Sequence, residues 1–299
     1  MIVAAALLSS CRKYHDYSKT EWTEKDLPEW EDLTVNTINT VTPHASMVSH
    51  PDNSSALKAK WRESVNVLSL DGKWKFNYSP APAGRPYWFF REDFDTRQWG
   101  EIEVPSTWER EAHGTAYYVN SGYTFPVNPP FINHSDNPVG SYKRSFTIPS
   151  GWKDKEVFLN FDGVSSAFNV WINGEKVGYS EDSKTTAEFN ITPFLRKGKN
   201  NIAVEVYRYS DGSYLECQDF FRLSGIQRSV WLHARPKTYI RDYFAVPTLV
   251  NEYTDGLLNL TVELAGNERR PSEMRLEAGL FDGETKIFAE TRYVEAFDS

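Results

Sequence analysis

A disulfide framework, a His/Cys metal-ligand motif and a helical membrane span all lack their raw material in this chain. It has only two cysteines in 299 residues, Cys11 and Cys217. That excludes a disulfide framework. No run approaches the roughly 20 apolar residues that a helical membrane span needs. The six histidines are scattered, and neither an H-E-x-x-H helix nor a paired C-x-x-C is present, so no metal-ligand spacing emerges. A G-x-S-x-G elbow and a glycine-rich phosphate loop are also missing. Basic charge is short: 33 Lys and Arg against 41 Asp and Glu give a net charge of −8. This argues against a nucleic-acid partner, whose phosphates demand a basic footprint. Arg269-Arg270, an adjacent basic pair in the second half, reads as a solvated turn. Long 3.6-residue periodicity is missing as well.

What is present is aromatic and β-patterned. Phe, Trp and Tyr make up 15% of the chain, ten of them Trp. Most suit the core of a β-rich protein, and a few would suit a sugar-stacking surface. Lys73 to Tyr78 alternates cleanly, the mark of a half-buried strand. Tyr142, Arg144, Phe146 and Ile148 give another strand, stopped by Pro149. Val157, Leu159 and Phe161 continue the series, followed by Ile202, Val204 and Val206 and by Ser229 to His233. Asn173-Gly174 between Phe168–Ile172 and Glu175–Tyr179 is a strong hairpin signal, since a type I′ turn needs positive φ twice. Many short strands with Gly and Pro turns predict a sandwich, and a jelly roll is the natural size match.

The organisation that follows has four parts. Residues 1–11 run through an apolar stretch to Leu8-Ser9-Ser10-Cys11, which resembles the lipobox of a bacterial lipoprotein, although the basic residues that usually precede such a stretch are absent. Cleavage there would leave Cys11 as a lipidated, membrane-anchored first residue. Residues 12–59 read as an extended polar arm with Trp30 as its anchor. Residues 60–237 form the jelly roll. Residues 238–299 hold four further strands, Tyr239–Val246, Leu257–Leu264, Met274–Phe281 and Lys286–Tyr293, with Asp282-Gly283 as a turn. An immunoglobulin-type sandwich needs about seven strands, so this second sandwich reads as truncated, cut roughly in half.

Carboxylates are the remaining chemistry. Retaining glycosidases place two of them about 5–5.5 Å apart. Glu181-Asp182 would point to opposite faces of an extended backbone. Glu216 and Asp219 lie in a loop whose geometry is open: a catalytic pair, or a loop-ordering pair in which Asp219 accepts backbone N–H bonds or pairs with Arg222. His113, His134 and His233 read as structural or solvated.

The run Asp211-Gly212-Ser213-Tyr214-Leu215-Glu216-Cys217-Gln218-Asp219-Phe220-Phe221-Arg222-Leu223-Ser224-Gly225-Ile226 closely resembles a signature of glycoside hydrolase family 2, the β-galactosidases. Asn128-Pro129-Pro130-Phe131, Asp136 to Tyr142, Asp162 to Phe168, Trp171 to Gly174 and Val177 to Ser183 follow the same family at family-like spacing. The resemblance covers about residues 28–237 and, more weakly, the start of the immunoglobulin-like part. It implies a sugar-binding jelly roll that lends loops to the active site of a (β/α)8 barrel, in an enzyme that hydrolyses terminal non-reducing β-D-galactosyl bonds with retention. It implies that Asp219 and Asn120 bind the sugar and that Asp219 helps ligate a sodium ion. A magnesium or other divalent ion would belong to the barrel. The catalytic glutamates also lie in the barrel, so no catalytic residue is assigned in this chain. Cys217 departs from the aspartate common in relatives, and Tyr209 and Phe221 stand where tryptophan is common.

The expectation is therefore the N-terminal part of an exported bacterial β-galactosidase, periplasmic or anchored by lipid at Cys11. Its partners would be a galactoside, its own barrel and, at full length, further copies of itself. Two alternatives stand: a non-catalytic carbohydrate-binding module, and a family 2 enzyme for a β-glucuronide or β-mannoside.

Overall fold

The structure is a computed structural model that describes residues 27–58, 60–266 and 274–294. Cys11 and Arg269-Arg270 lie outside the described residues. The strands are β1 (Thr37–Ile38), β2 (Val67–Ser69), β3 (Gly72–Ser79), β4 (Gly100–Val104), β5 (Tyr117–Val119), β6 (Val139–Thr147), β7 (Glu156–Phe161), β8 (Val164–Ser165), β9 (Ala167–Ile172), β10 (Glu175–Ser180), β11 (Ala187–Asn190), β12 (Lys199–Tyr207), β13 (Phe220–Arg222), β14 (Gly225–Ile226) and β15 (Val230–Arg235). β16 (Thr238–Val250), β17 (Asp255–Gly266), β18 (Met274–Asp282) and β19 (Thr285–Val294) follow. The chain divides into two compact units between Arg235 and Pro236.

The first unit is the jelly-roll-type sandwich expected from the alternation. One sheet runs β1-β10-β9-β12-β6-β3-β4 and the other β11-β7-β15-β2, with antiparallel neighbours throughout. Period-2 side chains explain the packing. Trp74 and Phe76 of β3, Tyr142 and Phe146 of β6, and Ile202, Val204 and Val206 of β12 face Val157, Leu159 and Phe161 of β7 and Val230, Leu232 and Ala234 of β15 in one buried cluster. Asn173 and Gly174 take φ of 52° and 86° and turn β9 into β10, as the Asn-Gly pair predicts.

The arm is part of this unit. Trp30 is fully buried and stacks on Tyr207 with ring centroids 5.3 Å apart. Glu31 accepts the Ile132 N–H at 2.6 Å and pairs with His134 at 2.9 Å. β1 then pairs along β10, covering a sheet edge that would otherwise invite association. The buried face of β15 toward the arm is polar. Ser49 donates its N–H to His233 Nε2, and Glu188 holds both His44 and Arg235.

The second unit pairs β16 with β17 and β18 with β19, as two separate two-stranded ladders among the described residues. The four strands fall where the alternation places them, and Gly283 makes the turn after Asp282 with φ 57°.

Candidate sugar-binding site

The loop after β12 is held from below before it offers anything to a ligand. Arg208, the residue after β12, and Glu109 form a buried ion pair at 3.4 Å. Arg208 also donates to the Thr115 carbonyl at 2.9 Å, and Glu109 accepts the Ser224 N–H at 3.0 Å. One ion pair thus fixes the chain just before β5 and just after β13. Asp211–Tyr214 is a 3-10 turn closed by a reciprocal Ser210–Ser213 capping box. The Tyr214 hydroxyl donates to the Phe131 carbonyl at 2.8 Å and accepts the Asn128 N–H at 3.0 Å, stitching the Asn128-Pro129-Pro130-Phe131 motif to the loop.

Against the turn lies a carboxyl pair, Asp211 buried and Glu181 half-buried. Glu181 accepts the Gly212 N–H through one oxygen, and its other oxygen is buried. Burial, with Asp211 alongside, pushes the Glu181 carboxyl well above the ordinary carboxylate range. A Cβ on Gly212 would come within 2.9 Å of a Glu181 carboxylate oxygen, so a larger residue there would require that side chain to shift. Neither Glu181 oxygen is free for a substrate, and the pair acts as a bolt against the loop.

The two residues expected to meet a sugar come together at one end of a ribbon. β13 pairs with β5 in the register Phe220↔Val119, Phe221↔Tyr118, Arg222↔Tyr117. One step beyond Phe220↔Val119 stand Asp219 and Asn120, both exposed. Asp219 accepts a 2.6 Å hydrogen bond from the Tyr118 hydroxyl. That bond raises the Tyr118 phenol above its ordinary pKa. Tyr118 and Phe221, opposite each other on the ribbon, meet edge to face with centroids 5.4 Å apart and are 59% and 58% exposed. An oriented carboxylate beside two exposed rings is suited to polyol hydroxyls and sugar C–H faces.

Glu216 does not join Asp219. It accepts from the N–H of Ser183 at 2.6 Å and from the Ser183 hydroxyl, so it orders the loop. Arg222 does not pair with Asp219 either. It donates to the Glu216 carbonyl and the Cys217 sulfur, and its guanidinium lies 4.4 Å from the centre of the Phe220 ring. The thiol of Cys217 donates to the Gly122 carbonyl. His233 is buried and held neutral: desolvation first, then nearby Arg235, push its pKa down to about 3. His134 is engaged by Glu31. No cluster of three or more metal-ligating side chains occurs among the described residues. Asp219 offers a cation one hard oxygen, not a complete cage.

Sequence reasoning missed Tyr118, Arg208 and Glu109. Their roles depend on pairings across about a hundred residues. The only available signal was Tyr118 standing two positions before Asn120, on the same strand face.

Residues 67–236 match the family model described as "Glycosyl hydrolases family 2, sugar binding domain". The chain is 42% identical over 261 residues to a beta-galactosidase of Priestia megaterium, covering 85% of this chain and 25% of that protein. It is 41% identical over 213 residues to a beta-galactosidase of Clostridium acetobutylicum, covering 70% of this chain and 24% of the relative. Among solved structures it is similar to a calcium binding mutant of Bacteroides uniformis beta-glucuronidase 2. The TM-score there is 0.60 at 25% identity, over 77% of this chain and 26% of the other. The chain thus spans about a quarter of the length of the curated relatives it matches. By the model that matches more than half its residues, the chain belongs to glycosyl hydrolase family 2 through that family's sugar-binding domain.

Proposed function

We propose that the chain is the sugar-binding portion of a bacterial β-galactosidase, and that it presents Asp219 and Asn120 to a terminal β-D-galactosyl unit. The observation that carries this reading is the ribbon register, which sets Asp219 and Asn120 side by side, with the Asp219 carboxylate oriented by Tyr118. Asp219 accepts sugar hydroxyls, Asn120 donates to and accepts from them, and Tyr118 and Phe221 border the ring. When bound, a sodium ion would take one oxygen from Asp219 and further oxygens from groups outside this cluster. A divalent ion would act in the catalytic barrel. Bond cleavage with retention needs two closely spaced accessible carboxylates. The Glu181–Asp211 pair cannot supply them, and Glu216 is committed to Ser183. The resemblance to family 2 assigns the nucleophile and the acid to the barrel of the longer enzyme.

A second reading, a β-glucuronidase, draws on the likeness to the solved Bacteroides uniformis structure. Asp219 opposes it, because a carboxylate beside the sugar repels a glucuronate carboxylate. Export with a lipid on Cys11, an immunoglobulin-like completion of the second unit and assembly of the full-length enzyme into oligomers complete the proposal.

A panel of nitrophenyl glycosides tests it. The chain alone turns over none of them, and the full-length enzyme turns over the β-galactoside in preference to the β-glucuronide and β-mannoside. Turnover by the chain alone, or preference for glucuronide by the full enzyme, contradicts the proposal.

A further inference from the structure

The outer face of the β11-β7-β15-β2 sheet bears a cleft whose lining includes neither Asp219 nor Asn120. It encloses about 910 Å³, in the range of small-molecule sites. Residues of the arm between Val41 and Val48 line it together with Trp61 and Trp231. Register places Trp231 directly across from Asn160, so both side chains rise from the same sheet face. The Trp61 and Trp231 rings lie 5.0 Å apart at 54°.

Polar groups at this cleft are set as if for a partner. The Trp231 indole N–H donates to Asp162 Oδ1 at 2.9 Å, which fixes the ring and leaves the second Asp162 oxygen to accept. Asn160 is 2% exposed, and its amide Nδ2 has no hydrogen-bond partner among the described residues. A buried donor left unpaired is costly, and a ligand hydroxyl would satisfy it. Charges nearly cancel around the cleft: Asp162, Asp182 and Glu188 face Lys184, Arg228 and His44. Such a balance favours a neutral ligand, while the density of hydrogen-bonding groups disfavours a purely apolar one. Indole faces beside a carboxylate and an amide suit a pyranose, with its apolar C–H faces and equatorial hydroxyls.

We propose that this cleft is a second saccharide site, distinct from the Asp219 ribbon. It takes one neutral pyranose unit against the Trp61–Trp231 pair, with Asn160 donating to a hydroxyl and Asp162 accepting from another. Such a site would hold an extended glycan on the domain while its terminal sugar is presented elsewhere.

The test is fluorine NMR of the chain carrying fluorotryptophan, with the two resonances assigned through Trp61→Phe and Trp231→Phe. Methyl β-D-galactoside, lactose and a galacto-oligosaccharide are titrated, with sodium glucuronate as the anionic comparison. The expected result is a saturable, millimolar shift of the Trp61 and Trp231 resonances by neutral sugars, weakest with glucuronate. Trp61→Ala should weaken binding at least tenfold. Asn160→Leu, which removes the unpaired donor at similar volume, should weaken it while leaving Tm unchanged or higher. Asp219→Asn should leave these shifts intact, which separates this site from the ribbon. No shift with any neutral sugar, or shifts that vanish in Asp219→Asn, would overturn the proposal.

Discussion

The two units differ in what their alternating strands accomplish. In residues 27–235 nearly every inward apolar side chain meets one from the opposing sheet, and Trp30, Trp74 and Trp108 are essentially sealed from solvent. In the second unit the strands are longer, yet Phe244, Leu249 and Ile287 are 69%, 58% and 62% exposed. Equal alternation therefore does not mean equal burial. A strand is stabilised by what covers its apolar face, and two-stranded ladders by themselves are marginal. The β5–β13 ribbon is also only two strands, each three residues long. Its order comes from the sandwich below it, through Arg208, Glu109 and the turn at Asp211.

The sharpest way to break this contrast is truncation of one large side chain in each unit. Trp30→Ala should cost about 3–5 kcal/mol, read as a lower urea midpoint. Phe244→Ala should change stability by less than about 0.5 kcal/mol. A comparable loss from both would mean that the second unit carries a core of its own.

Acid sharpens the contrast next. His233 titrates near 3 in the fold and near 6.5 when unfolded. Between those values the unfolded chain binds a proton that the folded chain does not, so stability falls as pH falls. This one residue contributes a loss of about 3 kcal/mol from pH 6.5 to pH 4. His44 has the opposite sign: its bond to Glu188 raises its pKa, so its contribution is complete below about 6.5 and fades as pH rises through the folded value. Carbon-13 shifts of the two imidazoles check both. A His233 ring that protonates near 6 contradicts the burial argument.

Glu181 carries a pH dependence of the opposite sense to that of His233. Its raised pKa means that the folded chain keeps a proton the unfolded chain releases, so stability declines as pH rises above about 4.5. Glu181→Gln, which cannot titrate, should gain progressively over the parent as pH rises from 5 to 8. Chemical denaturation at the two pH values measures it. A gain independent of pH would place the effect elsewhere.

Much of the sandwich was legible because period-2 alternation and Asn-Gly report local facts. Trp30 stood out as an isolated large residue in a polar arm. The site was legible only in part. Asp219 and Asn120 came from resemblance to a family, whereas the acceptance of Tyr118 by Asp219, the capture of Glu216 by Ser183 and the Arg208–Glu109 pair depend on which distant strands become neighbours. Arg222 illustrates the limit. Three residues from Asp219 it reads as that residue's partner, but the β13 register turns it toward Glu216 and Cys217.

The central claim is that the ribbon places Asp219 and Asn120 on one sugar. A double-mutant cycle for nitrophenyl β-galactoside in the full-length enzyme tests it most directly. Asp219→Ala alone should lower kcat/KM by about ten- to a hundredfold, the range for a charged hydrogen bond. If both residues hold the same galactosyl unit, Asp219→Ala and Asn120→Ala together should depart from additivity by about 0.5–3 kcal/mol. Two effects that add to within about 0.5 kcal/mol, or an Asp219→Ala enzyme with unchanged kcat/KM, would contradict a shared site.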